Sequence, residues 1–325
     1  MSTLLSIENL KVVLKNPAGF EAGSILRGVD LKIAEGESVA LVGESGCGKS
    51  MTALSILRLL PSPPMEMVSG KINFKGRDLA DFSPADWGKI RGGDIGVVFQ
   101  DPLASLNPVI RVGHQIEEVI LIHSELSRDQ AQRKALNLLS DVGLPDAGRI
   151  FQQYPHQLSG GMCQRVMSAM ALAGGPSLLI ADEPTTALDV TVQTQILDLL
   201  FGMKKKHKLA ILFITHDLRL VRGHADRVAV LYAGQVVEEG SPEELFRHPL
   251  HPYTEGLIGA LPSASQKGHP LANIPGKVPS PFDILTGCAF ADRCSRAEKN
   301  CRADEPNLIE NEKGHRSRCF YPSKN

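Results

Sequence analysis

The segment Gly43-Glu44-Ser45-Gly46-Cys47-Gly48-Lys49-Ser50 constrains the fold more than any other stretch of this chain. It has the form G-x-x-x-x-G-K-S, follows the short apolar run Ser38–Val42, and precedes Met51–Leu60, whose apolar residues recur at helical spacing. A strand, a glycine-rich turn and a helix in that order predict a phosphate-binding loop. Glycines let the backbone curl with its N–H groups facing an anion, and the helix N-terminus adds its positive dipole end. The predicted contacts run from Gly43, Glu44, Ser45, Gly46, Cys47 and Gly48 to Met51. Lys49 is expected to reach the β- and γ-phosphates, and Ser50 to offer its hydroxyl to Mg²⁺. The expected ligand is a nucleoside triphosphate.

A chain of 325 residues holds two domains, or one large domain with an appendage. Its net charge of −1 argues against a general nucleic-acid binder. No apolar run reaches the length of a membrane span, and the start Met1-Ser2-Thr3-Leu4-Leu5 lacks the features of a secretory signal. A cytosolic protein is expected, one that meets a membrane only through a partner. In a reducing compartment its six cysteines point to metal binding or catalysis rather than to disulfides.

Strands are predicted over 4–14, 29–33 and Ser38–Val42, then Ile95–Phe99, Leu178–Ala181, Leu209–Ile214 and Val228–Tyr232. Helical spacing marks Val112–Ile122, Arg128–Val142 and Val190–Lys206. Alternating strands and helices predict an α/β core with a mainly parallel sheet and a helical insertion at about 101–173. After Gly240 prolines crowd in, periodicity weakens and four cysteines follow, so the tail reads as a separate loop-rich unit.

Leu178-Leu179-Ile180-Ala181-Asp182-Glu183 is an apolar strand ending in two carboxylates. An acid at the end of a buried strand suits Mg²⁺ coordination, the role expected of Asp182. Glu183 is then placed to orient, or take a proton from, the attacking water. Ser159-Gly160-Gly161, ahead of a further helix, offers a second anion-binding helix start.

The order of these motifs resembles the ATP-binding cassette (ABC) family across residues 4–240. The match runs from the phosphate loop through Gln100 after a strand, Leu158–Gln164 as signature, and Asp182-Glu183. It continues with Ala187-Leu188-Asp189 as the D-loop and His216 after a strand. The resemblance implies two cassettes dimerising head to tail, with ATP between one subunit's phosphate loop and the other's Ser159, Gly160 and Gly161. It also implies that Glu183 polarises water, His216 contacts the γ-phosphate, Gln100 links Mg²⁺ to a transmembrane partner, and Phe20 stacks on adenine. Catalysis would rest on Glu183, His216 and Lys49, with Ser50, Gln100 and Asp182 around Mg²⁺. Cys163 departs from the residues common in relatives and Cys47 occupies a variable position; a small side chain is the expected reason for each.

Phe99-Gln100-Asp101-Pro102, Ser105-Leu106-Asn107-Pro108, the passage Glu183–Gln193 and His251-Pro252-Tyr253-Thr254 resemble the oligopeptide/dipeptide importer branch. Nickel and other small-solute importers share parts of this pattern. The tail cysteines Cys288, Cys294, Cys301 and Cys319 have the spacing C-x5-C-x6-C-x17-C. By chemistry alone that set leaves zinc, an iron–sulfur cluster and unliganded thiols open. Gly287-Cys288, Arg293-Cys294, Cys301 and Arg318-Cys319 resemble tails in the branch that can hold a 4Fe–4S cluster, so the resemblance implies one here, with Zn²⁺ the alternative. Thr286 departs from the proline often found ahead of the Gly-Cys pair. His248, His251 and His269 are expected to be packing or solvated residues.

The expected fold class is α/β: an ABC-type P-loop nucleotide-binding domain over 1–240 with a helical subdomain, plus a small loop-rich, cysteine-containing extension over 241–325. The expected function is ATP hydrolysis powering import of di- or oligopeptides. The implied partners are integral-membrane permease subunits, a homologous second ATP-binding subunit and an extracytoplasmic solute-binding protein, with no nucleic acid. The implied location is the cytoplasmic face of the membrane. A non-transport ABC ATPase is the alternative of a different class; one phosphate loop, one signature and no sustained heptads argue against it.

Overall fold

A computed structural model of the chain describes residues 2–185, 189–261, 273–312 and 314–323. The order begins β1 (Thr3–Lys15), β2 (Glu21–Ala34), β3 (Ser38–Val42), α1 (Lys49–Ile56), β4 (Met65–Phe74), β5 (Arg77–Asp78), α2 (Pro84–Ile90) and β6 (Ile95–Val98). Then come α3 (Pro102–Ser105), α4 (Val112–His123), α5 (Arg128–Asp141), α6 (Ala147–Phe151), α7 (Gly160–Ala173), β7 (Leu178–Asp182), α8 (Val190–His207) and β8 (Ala210–Thr215). The chain ends with β9 (Arg227–Tyr232), β10 (Gln235–Gly240), α9 (Pro242–Arg247), α10 (Pro252–Gly259), α11 (Lys299–Ala303), β11 (Ile309–Glu312) and β12 (His315–Ser317). Among the described residues no helix is long and apolar enough to cross a membrane.

These elements form two compact units. One comprises Ile33–Glu37 and Asp81–Ile214 with the first residues of the chain. Its strands run parallel in the order β8-β7-β6, pairing Val98 with Ala181 and Asp182 with Ile214. Leu178, Leu179, Ile180 and Ala181 are fully buried, the pattern of a strand covered on both faces. The helical subdomain holds α3 to α7. Ser127 starts α5 with a capping box completed by Gln130. The insertion packs through apolar residues such as Val112, Ile116, Leu139, Phe151 and Val166, all buried.

The other unit comprises Leu5–Lys32, Ser38–Ala80 and Thr215–Asn325. It holds a four-stranded sheet in the order β2-β1-β4-β5, with β1–β4 and β4–β5 antiparallel. It also holds the strands β11-β12-β10-β9-β3. There β3 and β9 run parallel, pairing Val39 with Arg227 and Val42 with Val230. β9 and β10 form a hairpin across Ala233 and Gly234, both at positive φ, the geometry that matches strand twist. Helix α1 stops at Ile56 rather than continuing to Leu60, because Arg58 turns left-handed ahead of a proline run. The tail's short elements lie between long loops, and β12 pairs with β10 through Glu238 and Ser317. The extension thus shares a sheet with the cassette strands of this unit.

Candidate functional site

The predicted phosphate loop leaves β3 and enters α1, and its geometry explains its glycines. Gly43 has φ +154°, and a Cβ there would lie 2.2 Å from the Leu231 carbonyl oxygen and 2.8 Å from Cys47 Sγ. Gly48, at φ +110°, occupies the N-cap of α1, where a Cβ would meet Leu26 at 2.6 Å. No side chain caps α1, so its first-turn N–H groups keep the anion-binding character of a helix start. Lys49 is buried and folds over the loop, its Nζ donating to the carbonyl oxygens of Gly43 at 2.8 Å and Glu44 at 3.0 Å. Ser45 and Gly46 are exposed, while Ser50 and Met51 are half-buried. Cys47 is fully buried, and burial pushes its thiol up against the opposing pull of Lys49, so it serves as packing.

Glu44 is engaged twice. Its N–H donates to Tyr253 Oη at 2.8 Å, and its carboxylate is forked by Arg293, with Nη1 to Oε2 at 2.7 Å and Nη2 to Oε1 at 3.1 Å. Two further expected residues belong to this unit. Phe20 is 71% exposed on the turn between β1 and β2, which Asn16 holds by accepting the N–H groups of Ala18 and Phe20 at 3.0 Å each. His216 follows β8 directly and is exposed. Beside it, burial pushes the Asp217 carboxyl up, but the paired Arg219 guanidinium outweighs this and holds it below the usual range.

In the other unit β7 delivers Asp182 and Glu183 at its C-terminal end. Glu183 has φ +46°, a left-handed conformation uncommon for a residue with a side chain and typical of functional positions. Its N–H donates to the Ile214 carbonyl oxygen at 2.9 Å, so β8 holds the turn. Gln100, just beyond β6, places Nε2 3.4 Å from Glu183 Oε2. The structure therefore brings Gln100 to the predicted base, 83 residues away in sequence. Ser159 is the N-cap of α7 and accepts the Met162 N–H at 3.3 Å, leaving its own O–H to donate. Ser159 and Gly160 are exposed at that helix start, with Gly161 half-buried. Cys163 is buried with Sγ 3.4 Å from the Pro155 carbonyl oxygen, and burial pushes its thiol up. Of the expected D-loop, Asp189 caps α8 by accepting the Val192 N–H at 3.0 Å; Ala187 and Leu188 lie outside the described residues.

All four tail cysteines are free thiols and line one small cleft together with His251, Phe290 and Tyr321. Among the described residues no group of three or more His, Cys, Asp or Glu side chains that could hold a metal ion is present. The donor set is all sulfur, which suits zinc and an iron–sulfur cluster alike. His251 is buried, and its Nδ1 accepts the Tyr253 N–H at 3.1 Å as the cap of α10. His248 is exposed, and His269 lies outside the described residues.

A family model described as ABC transporter matches residues 26–186, and one described as Oligopeptide/dipeptide transporter, C-terminal region, matches residues 237–301. The oligopeptide transport ATP-binding protein AppD of Bacillus subtilis is 47% identical over 320 residues, covering 98% of this chain and 97% of AppD. The chain belongs to the ATP-binding subunits of the oligopeptide/dipeptide ABC transporters. The dipeptide transport ATP-binding protein DppD of Escherichia coli is 46% identical, covering 90% of each chain. Among solved structures, the dimeric ATP-binding cassette MJ0796 bound to ADP and Pi superposes with TM-score 0.65 at 30% identity. It covers 74% of this chain and 99% of that one. As a cassette of this family, the chain is an ATPase subunit. Tyr253 and Arg293 are functional candidates that the motifs did not single out. Tyr253 lies inside the quoted His-Pro-Tyr-Thr passage and Arg293 beside Cys294, but their partner Glu44 is more than 200 residues away.

Proposed function

We propose that this chain hydrolyses ATP to drive uptake of di- or oligopeptides through a membrane permease. Full-length similarity to peptide-transport ATP-binding proteins carries the reading, because it spans the C-terminal region as well as the cassette. The chain works at the cytoplasmic face of the membrane, held there by permease subunits, beside a second, homologous ATP-binding subunit. A solute-binding protein on the other side delivers cargo. Residues 1–240 act as the cassette and 241–325 as the extension.

ATP is clasped between the phosphate loop of one subunit and Ser159, Gly160 and Gly161 of the other. The loop and Lys49 hold its phosphates, Phe20 stacks on adenine, and His216 reads the γ-phosphate. Ser50, Asp182 and Gln100 are the residues that would hold Mg²⁺, whose charge would neutralise that of the phosphates. Glu183 orients the attacking water and takes its proton, while Gln100 keeps the carboxylate turned toward its neighbour until then. Cys288, Cys294, Cys301 and Cys319 would hold a 4Fe–4S cluster, with Zn²⁺ the alternative. The shared cleft and its all-sulfur donor set support a metal site there. The cluster would staple a proline-rich segment too small to build its own core.

Cargo is tested by reconstituting the chain with its permease and binding protein in proteoliposomes. Uptake of a labelled tripeptide that excess unlabelled peptide suppresses, and Ni²⁺ does not, is the expected result. Ni²⁺ uptake without peptide uptake would assign the chain to the nickel branch.

A further inference from the structure

Glu44 is the sole acid of the loop Gly43–Ser50, and a carboxylate there opposes the binding of a polyphosphate. The structure neutralises it from the C-terminal extension. Arg293, nine-tenths buried, forks both carboxylate oxygens. Its remaining donors are fixed as well: Nε to the Pro275 carbonyl oxygen at 2.8 Å, Nη2 to that of Ile274 at 3.3 Å, and Nη1 to Tyr232 Oη at 3.4 Å. The guanidinium also lies 5.7 Å from the Tyr232 ring centroid and 5.8 Å from that of Phe290. Phe290 packs on Tyr232, Tyr253 and His251, and with His251 it lines the four-cysteine cleft. Tyr253 meanwhile takes the Glu44 N–H. One aromatic cluster therefore runs from the cleft to the phosphate loop, and Arg293 is its charged end.

We propose that Arg293 is a positioning residue for nucleotide binding. By forking Glu44 it withdraws and neutralises the loop's one carboxylate, while Tyr253 pins that residue's backbone, so the C-terminal extension sets the loop's affinity for ATP. The proposal rests on the reading of residues 43–50 as the phosphate loop. It does not require the cleft to hold any particular metal. A buried fork with five fixed contacts is not replaced by lysine, whose point charge cannot reproduce it.

The test is a double-mutant cycle on the full chain, read by fluorescent Mg·ADP titration and by steady-state ATPase kinetics. Arg293→Met is expected to weaken nucleotide binding about tenfold and to raise KM with little change in kcat. In the Glu44→Gln background the same substitution should cost less than about threefold, because no carboxylate remains to be neutralised. Equal losses in the two backgrounds would overturn the proposal, leaving Arg293 a merely structural residue. If Arg293→Met does not fold, Arg293→Lys keeps the charge without the fork. A loss of about threefold that Glu44→Gln relieves is then expected, and no relief would count against the proposal. Lys49→Ala, measured alongside, separates the two claims. Binding that survives Lys49→Ala refutes the phosphate-loop reading itself, whereas binding lost there but untouched by Arg293→Met refutes only the role of Arg293.

Discussion

At the scale of single residues, what matters most is where the backbone is forced. Glu183 carries a side chain in the left-handed region, at a cost of order 1 kcal/mol, and holds it with a bond to β8. Glu183→Gln keeps the shape and the contact with Gln100 but removes the proposed base. Turnover should fall by about a hundredfold or more with nucleotide affinity unchanged, measured by ATPase rate against Mg·ATP binding. A matching loss of affinity would mean that the carboxylate holds substrate rather than activates water. Gly43 is constrained more tightly still, since a Cβ would sit 2.2 Å from a carbonyl oxygen. Gly43→Ala should destabilise the fold by about 2–4 kcal/mol in urea denaturation; a loss under about 0.5 kcal/mol would show that the loop relaxes freely. The glycines, Lys49 and the acid pair were legible because each motif is local. Glu183's positive φ was not, and neither was the partner of Glu44, since both depend on segments far away in sequence.

At the scale of elements, most of the strands and helices that apolar runs predicted lie within one or two residues of their observed limits, whereas β2, predicted over 29–33, runs Glu21–Ala34. β4 escaped notice because Glu66, Ser69, Gly70 and Lys71 interrupt its apolar alternation, and its pairing with β1 supplies what the sequence lacks; β5 is only two residues long and pairs with β4. The pairing of β12 with β10 was equally hidden, being a contact between segments about 77 residues apart. Helix α10 shows how the tail is held, because its cap is a buried histidine. Burial lowers His251 from 6.5 to about 4, with Glu238 opposing, so its Nδ1 stays free to accept the Tyr253 N–H. The unfolded chain binds a proton at this residue between pH 6.5 and 4 and the folded chain does not. Its contribution is therefore complete above about pH 6.5 and is lost as the pH falls toward 4. His251→Asn keeps a capping oxygen without the titration. The stability gap between wild type and variant, followed by urea denaturation, should be constant above pH 6.5 and move in the variant's favour below it. A gap independent of pH would contradict the neutral buried histidine.

At the scale of the whole molecule, the chain joins an ATPase cassette to an extension whose four thiols face one cleft. Anaerobically purified protein should contain about four irons and four acid-labile sulfides per chain, lost on Cys294→Ser or Cys301→Ser. One zinc without sulfide would make the extension a plain thiolate clip. The spacing of the cysteines left that choice open, because ligand spacing fixes the donor type but not the distance between sulfurs in space. Peptide uptake by the reconstituted importer, counted against phosphate released, tests the central claim most directly. Wild type should accumulate peptide in step with hydrolysis, and Glu183→Gln should bind ATP yet do neither. Peptide accumulation by the Glu183→Gln importer, or steady hydrolysis with no peptide moved by wild type, would contradict the account.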